Sequence, residues 1–337
     1  MKLEQNYSLK EHNTFHLQVK ARWFMEYENE DELIKILQDE YFQESQSIHI
    51  GGGSNLLFLG DYNGVILHSA IRGIKVKEET DTSVTLRIGA AELWDDVVAY
   101  AVKNGYSGIE NLSLIPGETG AAAIQNIGAY GVEIKDVIES VEAYNQLDIV
   151  KRIFSKEECK YGYRSSFFKN EHNDPYIITY VAIRLSKQPS YTLEYGNLKE
   201  ELSAYDEINL TNIRDAVIAI RKNKLPDPKE QGNAGSFFMN PVVSMTKYNH
   251  LKSTFGEFPH YVISDTEVKI PAGWLIEQCG FKGKKHGTVG VYEKQALVLV
   301  NLGEATGDEI ALAAESIRMA VEQKYGISLV PEVKYVG

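Results

Sequence analysis

Three side chains in this 337-residue sequence sit in settings that suit chemistry. Arg164 lies inside YGYRSSFFK (161–169), where aromatics crowd one guanidinium. A guanidinium in a partly dry aromatic setting recognises a carboxylate through paired hydrogen bonds and stabilises negative charge developing beside it. Ser236 lies inside GNAGSFFMNP (232–241). No GxSxG elbow surrounds it, which argues against a hydrolase nucleophile and leaves a hydroxyl that can relay a proton. Glu332 is the acid of the terminal PEVKYVG (331–337). Taken singly, each has a plainer reading: a surface arginine, a turn hydroxyl, a solvated glutamate.

Two glycine-rich stretches give such groups something to act on. GGGSN (Gly51, Gly52, Gly53, Ser54, Asn55) follows a short apolar run, the right context for holding phosphate on backbone amides. It is not GxGxxG, and no GxxxxGK[ST] occurs in the chain. The second stretch, NLSLIPGETGAAAIQNIGAYG (111–131), carries four glycines, the run Ala121, Ala122, Ala123 and a single formal charge, Glu118. It is too rich in glycine and proline for a long core helix and too poor in charge for a solvated loop. Within it, Gln125 and Asn126 precede Ile127, Gly128 and Tyr130. Amide side chains can satisfy a donor–acceptor ring edge such as an isoalloxazine, or they can satisfy a buried loop backbone. Together the two stretches imply a large ligand held mainly by backbone; two tight turns in a packed domain are the alternative.

Composition bounds the answer. At 337 residues the chain should form two domains or three, with 43% hydrophobic and 24% charged residues. A net charge of −12 argues against broad nucleic-acid binding and against docking on an anionic membrane. The two cysteines, Cys159 and Cys279, form no CxxC, and the histidines, His16, His68 and His172 among them, show no HExxH spacing, so no metal is expected. The N-terminus has no apolar leader and no run of about 18 apolar residues occurs, so a cytoplasmic protein is expected.

The elements that must position these groups read as α+β. Asn29 caps a helix with Glu32 three residues on and Leu33, Ile36 and Leu37 on its apolar face. Residues 47–50, 65–67 and 83–88 read as strands, and 92–103 as a helix stopped by Gly105. Strands follow at 137–144, 148–154 and 176–185, then a polar connection over 190–210 and a helix over 212–223 ended by Pro226 and Pro228. Residues 296–301 read as a buried strand. The pattern at 306–326 is the clearest helix, with Thr306 and Glu309 as its capping box and Gly326 as its stop. Residues 1–30 are polar with a few aromatics.

GGGSN, IPGETGAAAIQNIGAYG, YRSSFFK, NAGSFFMNP, AGWLIEQCGFKG and PEVKYVG occur here in the order found in the UDP-N-acetylenolpyruvoylglucosamine reductases, and the chain resembles that family over essentially its whole length. SYTLEYGNL (190–198) resembles the tyrosine-bearing loop of the first of the family's two structural types. The resemblance implies an FAD-binding domain of the vanillyl-alcohol oxidase and p-cresol methylhydroxylase type over 1–189, as two α+β subdomains split near residue 70. A linker and tyrosine loop follow over 190–210, then a C-terminal α+β substrate-binding domain over 211–325, and a tail over 326–337 returns to the active site. It implies non-covalent FAD, NADPH as co-substrate, and UDP-N-acetylglucosamine enolpyruvate as the substrate reduced to UDP-N-acetylmuramate for peptidoglycan. A monomer, or at most a weakly associated one, is expected, with no nucleic acid, membrane or metal.

Residue by residue, the resemblance gives Arg164, Ser236 and Glu332 the chemistry, with Ser236 as proton donor. It gives FAD to Gly51, Gly52, Gly53, Ser54, Asn55, Pro116, Gly117, Gly120, Ala121, Gln125, Asn126, Ile127, Gly128, Tyr130 and Arg221. It gives the substrate to Tyr130, Tyr195, Lys224, Asn240 and Gln295. Two rivals stay open: an alcohol-oxidising flavoenzyme of the same fold, against which the glycine stretches offer no His or Cys for covalent flavin, and a non-catalytic flavin- or nucleotide-sugar-binding module.

Overall fold

The computed structural model describes residues 1–169 and 176–337, so His172 lies outside the described residues. The chain divides into two compact units. The first comprises Met1–Tyr7, Ala21–Gly52 and Asn63–Asn223; the second comprises Ser8–Lys20, Gly53–Tyr62 and Lys224–Gly337. The chain passes from one to the other inside GGGSN.

Two larger sheets and the short pair of Gly128–Ala129 with Val132–Glu133 fall in the first unit. One orders Lys2–Ser8, Lys20–Tyr27, Tyr62–Ser69 and Ser47–Ile50, the last two being parallel with Ile50 opposite His68. Its apolar face takes the helix Glu30–Leu37, where Asn29 accepts from the Glu32 amide at 3.0 Å and Leu33, Ile36 and Leu37 are buried, as the capping pattern requires. The other sheet orders Lys151–Ser155, Ile138–Asn145, Tyr176–Ser186, Ser83–Gly89 and Ile74–Glu79, antiparallel throughout. The helix Trp94–Lys103 buries Trp94, Val97, Val98 and Ala101 in one core with Val84, Leu86 and Ile88.

Three stretches hold more regular structure than their sequence patterns announce. The polar N-terminus contains strands Lys2–Ser8 and Lys20–Tyr27; the first shows most of its side chains to solvent, so it carries no alternating signal. The stretch 111–131 is not all loop: Thr119–Gln125 is a helix of seven residues built on the alanine run, ended by Asn126 in the left-handed conformation. The polar connection at 190–210 contains the helix Leu198–Leu202, whose buried leucines pack against Ile213, Ala216, Val217 and Ile220 of the helix Leu210–Lys224.

An ion cluster stiffens the second sheet of this unit. Arg87 grips Glu142 with two hydrogen bonds of 2.6 and 2.7 Å while its guanidinium lies 3.3 Å over the Tyr180 ring, and Lys151 bridges Glu142 and Glu30 at 2.8 Å each. Burial works to raise the Glu142 pKa, but the hydrogen bonds from Arg87 and Lys151 outweigh it and bring it down to about 2 from 4.5. A carboxyl depressed in the folded state contributes its stability above its unfolded pKa and loses it as pH falls toward the folded value. The cluster should therefore contribute on the order of 2 kcal/mol near neutrality and lose it between about pH 4.5 and pH 2. Urea midpoints measured across that window should fall more steeply for the wild type than for Glu142→Gln.

The second unit has a sheet ordered Asn233–Ser236, Val298–Asn301, Val289–Val291 and Lys285–His286, and a smaller one ordered Val242–Ser244, Glu267–Lys269 and Tyr261–Val262. The helix Gly307–Tyr325 covers the first with Ile310, Ala314, Ile317 and Val321, framed by the expected capping box of Thr306 and Glu309 and by Gly326 in the left-handed conformation. A parallel pair, Lys334–Val336 with Leu56–Phe58, joins the C-terminal strand to residues just after GGGSN.

Candidate active site

In the first unit the glycine stretches meet. A Cβ added to Gly51 would lie 2.9 Å from Glu118 Oε2, and one on Gly52 would lie 3.9 Å from the Gly117 Cα. Smallness is not everywhere in the service of a ligand: a Cβ on Gly120 would lie 3.0 Å from that of Ala90, so this glycine lets Thr119–Gln125 pack on the strand side. Ala121 is half-buried beside Gly51, and Pro116 is exposed.

Leu114, at the entry to IPGETG, is held at both ends of its backbone. Its N–H donates to Asp95, and its carbonyl accepts from Arg221 Nε at 3.2 Å. Asp95 is itself gripped by Arg214 through bonds of 2.7 and 2.9 Å. Arg214 and Arg221 stand seven residues apart on the helix Leu210–Lys224, two turns along one face. The bond to Leu114 is the only hydrogen bond the Arg221 side chain makes among the described residues, and burial pushes its guanidinium below its ordinary pKa despite Tyr130 and Asp95. A cation so enclosed, with most of its donors unspent on protein, suits an anionic or carbonyl-rich group.

Arg164 reaches the same stretch from the opposite side. Its Nη2 donates to the Gly128 carbonyl at 3.0 Å, and a Cβ on Gly128 would stand 3.3 Å from Nη1. Of the two amides, Asn126 is fully buried and committed to protein: it donates to the Gly162 carbonyl at 2.7 Å and to Glu133, and accepts from the Lys135 amide. Its side chain therefore satisfies a loop backbone, the plainer of the two readings. Gln125 is half-buried and makes no side-chain hydrogen bond among the described residues, which leaves its amide for a ring edge. Ile127 is half-buried, its N–H bonded to Ala122 and its carbonyl to Ile134. Asn126, Tyr130 and Arg164 all hold left-handed φ, at 46°, 48° and 52°. Three non-glycine residues in that region within one small site mark a backbone held against its preference.

Asn111, fully buried, donates to the carbonyls of Tyr130 and Thr192 at 2.8 and 2.7 Å, and Gly131 packs against Thr192 and Tyr195. This residue, which no motif announced, brings the exposed Tyr195 beside Tyr130. Burial raises the Tyr130 pKa against the pull of Arg221, so the phenol stays protonated.

The second unit gathers a different set. Gly53 has φ 67°, and a Cβ on it would fall 1.9 Å from the His12 carbonyl oxygen. Asn55 donates its side-chain amide to the Glu332 carbonyl at 2.9 Å, and its own carbonyl accepts from Lys334 at 3.0 Å. Ser236 closes the strand Asn233–Ser236 opposite Val298, and the Glu332 amide donates to the carbonyl of the next residue, Phe237, at 2.8 Å. Ser236 and Glu332, far apart in sequence, thus lie on adjoining backbone, both half-buried. Asn240 accepts from the Ala272 amide at 2.9 Å, and Gln295 Oε1 stands 3.0 Å from a Cβ built on Gly273. Both therefore meet the start of the helix Ala272–Gln278. Ser54 is half-buried, and Lys224, last residue of its helix, is exposed.

The comparisons agree with this distribution. A family model described as an FAD binding domain matches residues 21–148, and one described as the UDP-N-acetylenolpyruvoylglucosamine reductase C-terminal domain matches 227–336. The chain is 50% identical to the UDP-N-acetylenolpyruvoylglucosamine reductase of Porphyromonas gingivalis, covering all of both, and 49% identical to that of Bacteroides fragilis, covering 99% of this chain and all of the relative. Among solved structures, the corresponding reductase of Thermus caldophilus superposes over all of both chains with a TM-score of 0.70 at 23% identity. The 6-hydroxy-D-nicotine oxidase of Arthrobacter nicotinovorans superposes over 97% of this chain and 86% of its own with a TM-score of 0.54 at 12% identity, a likeness of fold alone. The architecture is α+β, with an FAD-binding domain of the vanillyl-alcohol oxidase type and a C-terminal domain of its own kind. The chain belongs to the UDP-N-acetylenolpyruvoylglucosamine reductase family.

Proposed function

We infer that this chain reduces UDP-N-acetylglucosamine enolpyruvate to UDP-N-acetylmuramate, an NADPH-dependent step of peptidoglycan precursor synthesis. The observation that carries the reading is that relatives named for this reductase align over the whole chain at about half identity. Non-covalent FAD would supply hydride exchange between NADPH and the vinyl carbon of the enol ether. The glycine cradle and the embedded Arg221 described above fit such a group.

The remaining work falls to side chains. Hydride arriving at C3 leaves negative charge at C2 that spreads into the adjacent carboxylate, and a positioned cation or acid lowers the energy of that state. Arg164, braced on Gly128, and Glu332, braced by Asn55, are assigned that role. Ser236 hands a proton to C2, completing the lactyl ether. Gly51, Gly52, Gly53, Ser54 and Asn55 hold the cofactor's diphosphate side. Pro116, Gly117, Gly120, Ala121, Gln125, Asn126, Ile127 and Gly128 hold the diphosphate and ring, Asn126 through its backbone. Tyr130, Tyr195, Lys224, Asn240 and Gln295 hold the sugar nucleotide and its enolpyruvyl end. A charge of −12 overall makes local cations such as Lys224 necessary for a diphosphate. No helix among the described residues is long and apolar enough to cross a membrane, and a monomeric cytoplasmic enzyme is the proposal that goes with a freely diffusing substrate.

The test is spectral. The purified protein should be yellow, bleach anaerobically on addition of NADPH, and regain its colour when the enolpyruvyl sugar nucleotide is added. A colourless preparation that takes up no FAD would sink the assignment. Bleaching without recolouring by this substrate would point to a different acceptor.

A further inference from the structure

Glu118, the single formal charge of its stretch, is buried, and its carboxylate lies flush against the other glycine loop. Oε2 stands 2.9 Å from a Cβ built on Gly51, and Oε1 stands 3.7 Å from one built on Gly52. The carboxylate's partner is His68, which strand pairing places opposite Ile50, immediately before those glycines. His68 Nε2 lies 3.3 Å from Glu118 Oε1, and Nδ1 lies 2.8 Å from Glu26 Oε2. Ionised carboxylates only accept, so an imidazole facing one at each nitrogen donates to both only when doubly protonated.

Three neighbours of this ring add no positive charge beside it. Phe24 stacks on it at 5.9 Å between centroids. Burial pushes the His49 imidazole down to about 3, so His49 is neutral, and Tyr27, 3.0 Å from His49, is pushed up by burial and stays un-ionised. Burial alone would lower the His68 pKa, but hydrogen bonds and charges from Glu118 and then Glu26 outweigh it and hold it above the ordinary 6.5.

We propose that His68 is a positioning residue for the cofactor's diphosphate: its imidazolium masks the Glu118 carboxylate, which otherwise stands bare beneath the Gly51 and Gly52 backbone. The inference rests on the reading that this loop faces the diphosphate. Glu118 ties the strand Tyr62–Ser69 to the 117–118 turn, and His68 makes that tie tolerable beside an anion. Because the protonated ring favours the anion, FAD affinity is full below the raised His68 pKa and is lost as pH rises through it.

FAD titrations of apoprotein, read by flavin fluorescence, test this. At neutral pH His68→Gln should weaken FAD at least about tenfold, because the Glu118 carboxylate against the loop then has no cation beside it. Glu118→Gln should bind FAD no more weakly than the wild type, and the double variant should recover to within about threefold of it. Wild-type affinity should fall as pH rises through the His68 pKa, which lies above the ordinary 6.5, and the double variant's should not. An H68Q variant within about twofold of wild type, or a double variant as weak as H68Q, overturns the proposal. Should H68Q fail to fold, the wild type and E118Q decide: equal pH profiles overturn the masking role, and a shallower E118Q profile supports it. A wild-type chain that takes up no FAD would sink the cofactor reading as well, whereas normal uptake with an indifferent H68Q sinks the masking role alone.

Discussion

Replacing Ser236 with alanine should leave flavin bleaching by NADPH at its normal rate and slow recolouring by the enolpyruvyl sugar nucleotide by roughly 10² to 10⁴-fold, the range ascribed to a positioned proton donor. The split follows from chemistry: hydride transfer from NADPH to the flavin needs no proton at the substrate's C2, while completing the lactyl ether does. The hydroxyl is half-buried at a strand end and the strand's backbone pairing with Val298 does not depend on it, so the variant should fold normally. Stopped-flow measurement of the two half-reactions reads both quantities on one sample. Equal slowing of both halves would point to a disturbed flavin site, and undiminished rates in both would remove Ser236 from the chemistry.

The second large effect is expected within three adjacent glycines. Gly53→Ala should destabilise the protein by about 3 kcal/mol or more, because its φ of 67° disfavours any Cβ and that Cβ would fall 1.9 Å from a backbone oxygen of His12. No rotamer change relieves a clash with backbone. Gly51→Ala meets the Glu118 carboxylate at 2.9 Å, a side-chain atom rather than backbone, and Gly52→Ala meets nothing closer than 3.7 Å. Gly52→Ala should therefore leave thermal stability within a few degrees of the wild type while weakening FAD roughly tenfold, if that glycine is small to admit the cofactor. Differential scanning fluorimetry with and without added FAD separates the outcomes. A Gly52→Ala protein with unchanged FAD affinity would make GGGSN a structural turn at this position.

What the sequence disclosed and what it withheld divide along range. Helix signals complete within a few residues were legible: Asn29 before its helix, and Thr306 with Glu309 and Gly326 framing Gly307–Tyr325. The helix Thr119–Gln125 was missed because glycine and proline were weighed over all 21 residues of the stretch, whereas only the alanine run and its neighbours are helical. The motif residues were legible as types, but their bracing was not. Asn126 spends its amide on Gly162 and Glu133, and Arg221 is fixed by a carbonyl at Leu114. Gly162 and Leu114 lie far along the chain from the residues they brace and are brought in by tertiary folding. Glu118 did leave a clue, since a lone charge in an apolar stretch must find a partner if buried. That the partner is His68 followed only from the parallel pairing of Ser47–Ile50 with Tyr62–Ser69.

The strand pair of Leu56–Phe58 with Lys334–Val336 carries a consequence for how the protein is made. Synthesis runs from the N-terminus at roughly 5–20 residues per second, so the earlier strand leaves the ribosome well over ten seconds before its partner exists. Until then Leu57 and Phe58, both fully buried in the finished fold, have no strand to lie against. The backbone that carries Glu332 likewise emerges long after Asn55, to which it is bonded. The nascent chain thus carries an apolar strand waiting while Lys224–Gly337, most of the second unit, is still to be made.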